Sequence, residues 1–268
     1  MATVRLRWNE SAKPVLADRD GEADVNWADN GNHALTASDT QVRTGTKSFL
    51  ITASDIGDFT TNYVSLASGN NATFTVGKNY VLTLYSYATG SETFKIKTGG
   101  VESPTYTGTN AWTAHHFYFT AVTATTALQI AVTKGGGGEL YFELEPIEEA
   151  LEIPYPLSVK GFDEPDAVEF WPPNQYDLLD GSVSEQITSF RRDITIDTGV
   201  ISAAADRKSI LHWMIDTARR IDYDTEVGIE VALADPSAFQ NEWKSGTDLG
   251  RSFILNLREK SVRTTFPV

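Results

Sequence analysis

The chain has 268 residues, 41% hydrophobic and 22% charged, enough apolar material for two ordinary cores. Its formal charge of -14, from 36 acidic and 22 basic residues, leaves no basic field for direct binding of DNA or RNA. The absence of cysteine excludes disulfides, thiolate metal sites and thiol nucleophiles together, and fits folding in a reducing cytoplasm.

In chain order, Val4, Leu6 and Trp8 alternate with Thr3, Arg5 and Arg7. This predicts a short strand in an N-terminal arm, 1–14, lying at a sheet edge or against another chain. The opening MATVRLRWNESAKP has no apolar run, so no leader peptide is expected. No stretch approaches the roughly 18–20 apolar residues of a membrane span, so no membrane insertion is expected either. Residues 15–34 are rich in Asp, Asn and Gly and read as loop.

From Lys47 to Glu145 the segments SFLIT, YVSLA, ATFTV, NYVLTLYSYA, TFKIKT, HHFYFTAV, ALQIAVT and ELYFELE follow one another between Gly, Asn and Ser turns. Thr, Val, Tyr and Phe dominate them, so they predict eight strands of a β-sandwich or jelly roll. Residues 146–161 hold three prolines and an acidic run and read as a stiff linker, with the boundary near Glu149. The expected division is an arm 1–14, a jelly roll 15–149, a linker 150–161 and an α+β domain 162–268.

In that last domain Ile194 and Ile196 alternate as a strand. Ile210, Leu211, Met214, Ile215, Ala218 and Ile221 recur at helical spacing, predicting one long helix around 210–221. Its opposite face would carry Lys208, Asp216 and Arg219, flanked by Arg207 and Arg220. Val227, Ile229, Val231 and Leu233 predict a strand buried on one face, Asp235–Pro236 opens a turn to Trp243, and RSFILNLREKSVRTTF supplies one or two closing strands. The fold class expected is mainly β: a sandwich joined to an α+β domain.

No constellation of catalytic residues emerges, and no enzyme activity is expected. His115 and His116 are neighbours in a strand and point to opposite faces, so they cannot share a metal ion. His212 has no Ser or Asp arrangement to recruit it. Gly135–Gly138 precede a strand, which predicts a hairpin turn and not a phosphate loop. The many carboxylates form no identifiable glycosidase pair.

The acidic loop Asp18–Asp24, Trp27, TGTKSFLIT, TFTVGKNYVLTLYSYA, AWTAHHFYFTA and GGGELYFELEPIEE together resemble the carbohydrate-binding-module jelly rolls of families 4, 9 and 22, the galactose-binding-like fold. The resemblance covers roughly 15–149. It implies aromatic stacking on sugar rings, for which Trp27, Phe59, Tyr63, Tyr85, Tyr87, Tyr106 and Trp112 are candidates. Trp112 and alternate members of the Tyr85–Tyr87 strand are assigned to the core, and the loop-borne Phe59, Tyr63 and Tyr106 to the ligand. It also implies a structural Ca²⁺ at Asp18, Asp20, Glu22 and Glu143, although this chain has Glu143 where the family has Asp. No cofactor is required.

The stretch 180–268, with its Arg-Arg strand, second strand, helix and two further strands, resembles the cores of tailed-phage tail-tube and distal-tail proteins. That resemblance implies a ring-forming virion protein, assembled in the host cytoplasm, whose partners are copies of itself, neighbouring tail proteins and host-surface glycans. Arg191, Arg192, Arg219 and Arg220 are the candidates for ion pairs between subunits. The alternative, an accessory carbohydrate-binding module of a polysaccharide-degrading enzyme, is separated from it by oligomeric state.

Overall fold

A computed structural model describes residues 3–8, 19–67, 72–90, 92–134, 139–153, 156, 158–160, 168–170, 174–177, 183–186, 190–201, 203–215, 219–223, 226–234, 240–242 and 251–260. The protein is mainly β and divides into two compact units. One is the continuous stretch Glu10–Ala150, here the inserted unit. The other joins Met1–Asn9 to Leu151–Val268, here the composite unit.

The inserted unit is an antiparallel sandwich. One sheet runs Thr113–Thr120, Asn79–Ala88, Glu139–Leu144, Ser48–Ala53, His33–Ser38. The other runs Trp27–Asn30, Tyr63–Leu66, Gln129–Lys134, Thr93–Thr98, Tyr106–Thr107. All eight expected strands are present. The region read as loop, 15–34, contains the strand Trp27–Asn30 and the start of His33–Ser38. Their Asp, Asn and Ala content is poor strand chemistry, and pairing with Tyr63–Leu66 and Ser48–Ala53 overrides it.

Strand period two sorts the side chains. On Asn79–Ala88 the even-numbered Tyr80, Leu82, Leu84 and Ala88 enter the core, and so do Phe49, Ile51, Leu140, Phe142, Phe117 and Phe119 from neighbouring strands. Trp27, Phe49 and Phe142 form a ring cluster with centroids 4.9–5.6 Å apart. Each such fully buried ring contributes about 1.5–3 kcal/mol from removed apolar surface.

In the composite unit, Val4–Trp8 pairs with Arg220–Tyr223, which pairs with Glu226–Leu233, then Arg251–Glu259, then Phe190–Ile201. Val4, Leu6, Trp8, Ile194, Ile196, Trp213, Val231, Phe253, Leu255 and Leu257 make its core. The helix lies earlier than its periodicity predicts: it spans Ala204–Ile215. Ile221 belongs to a strand, opposite Leu6. Ile210 and Trp213 are buried, whereas Leu211 and Ile215 are exposed. Asp216 and Ala218 lie outside the described residues. The Arg219 guanidinium donates to the Met214 carbonyl and satisfies the helix end.

The expected linker is also corrected. Glu148–Ile153 and Ser158–Lys160 are strands. Glu148 and Glu149 pair with Val81 and Tyr80, so the acidic run is absorbed by a sheet. Pro146 falls before Glu148–Ile153, where a missing N–H costs no ladder bond.

Candidate functional site

The parity that sends Tyr80, Leu82 and Leu84 inward sends Tyr85 and Tyr87 to the opposite, outer face of the first sheet. Register places Tyr141 beside Tyr87, and Glu143 and Ala114 on either side of Tyr85. Trp112 flanks the same strands, with its ring 6.0 Å from that of Tyr87 at an interplanar angle of 50°. None of these four aromatics belongs to a hydrophobic core cluster. This corrects the assignment of Trp112 to the core; alternate members of the Tyr85–Tyr87 strand do enter it, but they are Leu84 and Ala88 and not the two tyrosines. Both faces of NYVLTLYSYA are apolar or aromatic, which hides the inward side from a reading of composition alone.

A segment from Ser38 to Lys47 straps across this face. Glu143, 2% exposed, accepts the backbone N–H groups of Arg43 (2.9 Å) and Thr44 (3.0 Å) on Oε1, and the Thr44 hydroxyl on Oε2. Glu22 takes the backbone N–H and hydroxyl of Thr46 and the N–H of Lys47. The Thr46 hydroxyl is the main cause holding the Glu22 carboxyl below its usual range. Gly21, before it, has φ 78°, and a Cβ there would lie 2.4 Å from the Ser48 backbone, so only glycine turns the chain into this position. The strap lays the Arg43 guanidinium over the Tyr85 ring, 3.3 Å from its centroid. The Tyr85 hydroxyl is anchored to Glu145 at 3.0 Å. Ser38 and Thr40 hydrogen-bond to the Tyr141 phenol, which donates to Glu139 and is raised in pKa by burial.

Tyr87 and Trp112 are half-buried. The Tyr87 hydroxyl is fixed by the side-chain carbonyl of exposed Asn110, and the hydroxyls of Thr109 and Thr113 lie alongside, 2.9 Å apart. The result is a tilted pair of ring faces bordered by an amide and hydroxyls.

The expected calcium set does not assemble. Asp18 lies outside the described residues. Asp20 accepts the Glu22 N–H, while Glu22 and Glu143 are committed to the strap, with the Arg43 guanidinium 3.6 Å from Glu143. Among the described residues no three His, Asp or Glu side chains gather as metal ligands. Protein donors occupy oxygens of Asp20, Glu22 and Glu143. Addition of millimolar Ca²⁺, followed by EDTA, is therefore expected to leave Tm unchanged within about 1 °C. A Ca²⁺-dependent rise would restore the site.

Of the three expected sugar contacts, Tyr106 is set apart from Phe59 and Tyr63. Phe59 lies under the Lys97 ammonium, 5.5 Å from the ring centroid. Tyr63 alternates with buried Val64 and so faces outward from the second sheet. Tyr106 packs against Phe94 and His115, donates to the His116 carbonyl at 3.2 Å, and has its phenol pushed up to about 12 by burial.

Of the interface candidates, Arg192 is corrected outright. It is 1% exposed and bonded bidentately to Glu226 (2.6 and 2.7 Å) and to Glu259 (3.0 Å), all within the composite unit. A residue so enclosed cannot meet a neighbouring subunit. Arg219 caps the helix, and Arg220 lies 3.6 Å from Glu230. The side chain of Arg191 lies outside the described residues. A second buried pair, Arg7 and Asp222 at 3.1 Å, went unnoticed in the sequence because its partners are 215 positions apart.

His115 and His116 have different partners, Ser86 at 2.8 Å and Thr83 at 3.0 Å. The first contact has the spacing of a nucleophile and its base, but Ser86 is fully buried, so no substrate can reach it.

No known family profile matches the chain, and no curated protein matches it. Solved structures similar to it include the CBM22-1–GH10 modules of Clostridium thermocellum endo-1,4-beta-D-xylanase 10B complexed with xylohexaose (15% identity, TM-score 0.36, covering 51% of this chain and 29% of that one). Others are the CBM22-1 xylan-binding domain of Paenibacillus barcinonensis Xyn10C (13%, TM-score 0.37, 47% and 87%) and a CBM6 module of Cellvibrio mixtus lichenase 5A with cellotriose (12%, TM-score 0.34, 45% and 91%). At such scores, the function of this chain has to be argued from its own residues.

Proposed function

We propose that the inserted unit is a non-catalytic carbohydrate-binding sandwich whose ligand lies on the outer face of its first sheet, against Tyr87 and Trp112. The observation that carries this reading is the pair itself: two large rings, fixed at 6.0 Å, excluded from the core and bordered by Asn110 and threonine hydroxyls. Pyranose rings present C–H faces to aromatic rings and hydroxyls to amides, so one surface serves both. The composite unit would mount this module in a larger assembly, the tail or baseplate of a phage, as the resemblance of 180–268 implies. The alternative remains an accessory module of a polysaccharide-degrading enzyme.

The test is affinity electrophoresis and calorimetry of the whole chain against xylan, mixed-linkage β-glucan and mannan. Binding to at least one is expected. Tyr87→Ala and Trp112→Ala should each weaken it about tenfold or more while leaving the circular dichroism spectrum unchanged. Unaltered binding in both variants would overturn the site. Sedimentation velocity addresses the composite unit: self-association or capture by neighbouring tail proteins supports the virion role, and a strict monomer in their presence removes it.

A further inference from the structure

The strap Ser38–Lys47 does more than decorate the aromatic face: it divides it. Of the outer-face aromatics, Tyr141 is 1% exposed and bonded by Ser38 and Thr40. Tyr85 carries the Arg43 guanidinium over its ring. Tyr87 and Trp112 are left half-exposed. Resting on the carbohydrate reading above, we infer that Arg43 is a specificity-determining plug. It occupies the stacking surface of Tyr85 and so ends the binding face at Tyr87, restricting the site to a short run of sugar rings.

The geometry supports a fixed plug over a mobile side chain. Arg43 is held at both ends: its backbone N–H by Glu143, and its guanidinium by Glu143 at 3.6 Å, Glu145 at 4.0 Å and the Tyr85 ring. Tyr85 is itself oriented by Glu145. Adjacent same-face positions on a strand are about 6.8 Å apart. With the guanidinium removed, Tyr85 would therefore lie one ring-step from Tyr87 and could extend the platform.

Arg43→Ala is the decisive variant. The three bonds that hold the strap to Glu143 come from the backbone N–H groups of residues 43 and 44 and from the Thr44 hydroxyl, and all survive the change. Calorimetry would compare parent and variant with cellotriose, cellohexaose, xylohexaose and mannohexaose. The expected result is a gain of roughly threefold to tenfold for the hexasaccharide the parent binds, with little change for a trisaccharide. The gain should vanish in Arg43→Ala/Tyr85→Ala. Equal or weaker hexasaccharide binding in Arg43→Ala overturns the plug while leaving the carbohydrate reading in place. If neither protein binds any of the four sugars, the carbohydrate reading falls and takes the plug with it.

Discussion

Replacing Arg192 by alanine is expected to destabilise the composite unit by about 3–5 kcal/mol, a drop in urea midpoint of roughly 2 M. The guanidinium joins the strands Phe190–Ile201, Glu226–Leu233 and Arg251–Glu259 through three N–H···O bonds to two carboxylates, Glu226 and Glu259. Glu259 is 2% exposed, so losing its cation leaves a carboxylate charge in the interior. Such a charge costs more than the pair itself contributes. Arg192→Met/Glu259→Leu should therefore recover much of what the single change loses. Tryptophan fluorescence during urea unfolding would read both, since Trp8 and Trp213 are buried in this unit. A loss under 1 kcal/mol in Arg192→Ala would return Arg192 to the surface, where an intersubunit role would again be open.

Acidification is expected to loosen the inserted unit well before its carboxylates titrate. Burial lowers the His115 pKa to about 4, helped by neighbouring His116. Its unfolded value is near 6.5, so the unfolded chain takes up the proton first. The contribution is complete above pH 6.5 and is lost as the pH falls from there to about 4. Discounted for partial solvent contact, this amounts to about 2–3 kcal/mol. His33 acts in the same direction: burial depresses it, and its Nε2 accepts the Val132 N–H at 3.0 Å, a bond that protonation would abolish. Asp58 and Glu22 are held below the carboxylate range and lose their contributions only at lower pH. Thermal melts between pH 7 and 5 should show Tm falling. His115→Phe should be less stable at pH 7, because the Ser86 hydroxyl loses its partner, yet show a shallower slope. An identical slope in that variant would remove His115 as the cause.

Much of the sandwich was legible because its strands alternate and its turns are punctuated by glycine and asparagine. The missed strands, Trp27–Asn30 and His33–Ser38, are held by partners and not by their own propensity. The helix end was misplaced because Ile221 continues a helical spacing, yet its partner Leu6 is 215 positions away and pulls it into a sheet. Arg192 reads as an intersubunit charge in the sequence because Glu226 and Glu259 are distant from it along the chain. The candidate site was half visible. Its aromatics could be named, but their face could not be chosen until register fixed which residues of Asn79–Ala88 met the core. Arg43 carried no local signal at all, since its position over Tyr85 depends on Glu22 and Glu143 holding the strap.

The pairing of Val4–Trp8 with Arg220–Tyr223 also imposes a timetable on synthesis. At about 5–20 residues per second, the ribosome needs roughly 10–40 s to travel from Leu6 to Ile221. Val4–Trp8 also pairs with Glu148–Ile153, so one of its edges waits only until that strand emerges and the other until Arg220–Tyr223 follows, while Glu10–Ala150 emerges and can complete its sandwich. Early folding of that stretch shortens the effective tether between the two waiting strands, and with it the entropy lost when they finally meet. Slow codons placed just after position 150 would thus favour productive pairing, whereas hastened translation would leave Val4–Trp8 open to association with other nascent chains.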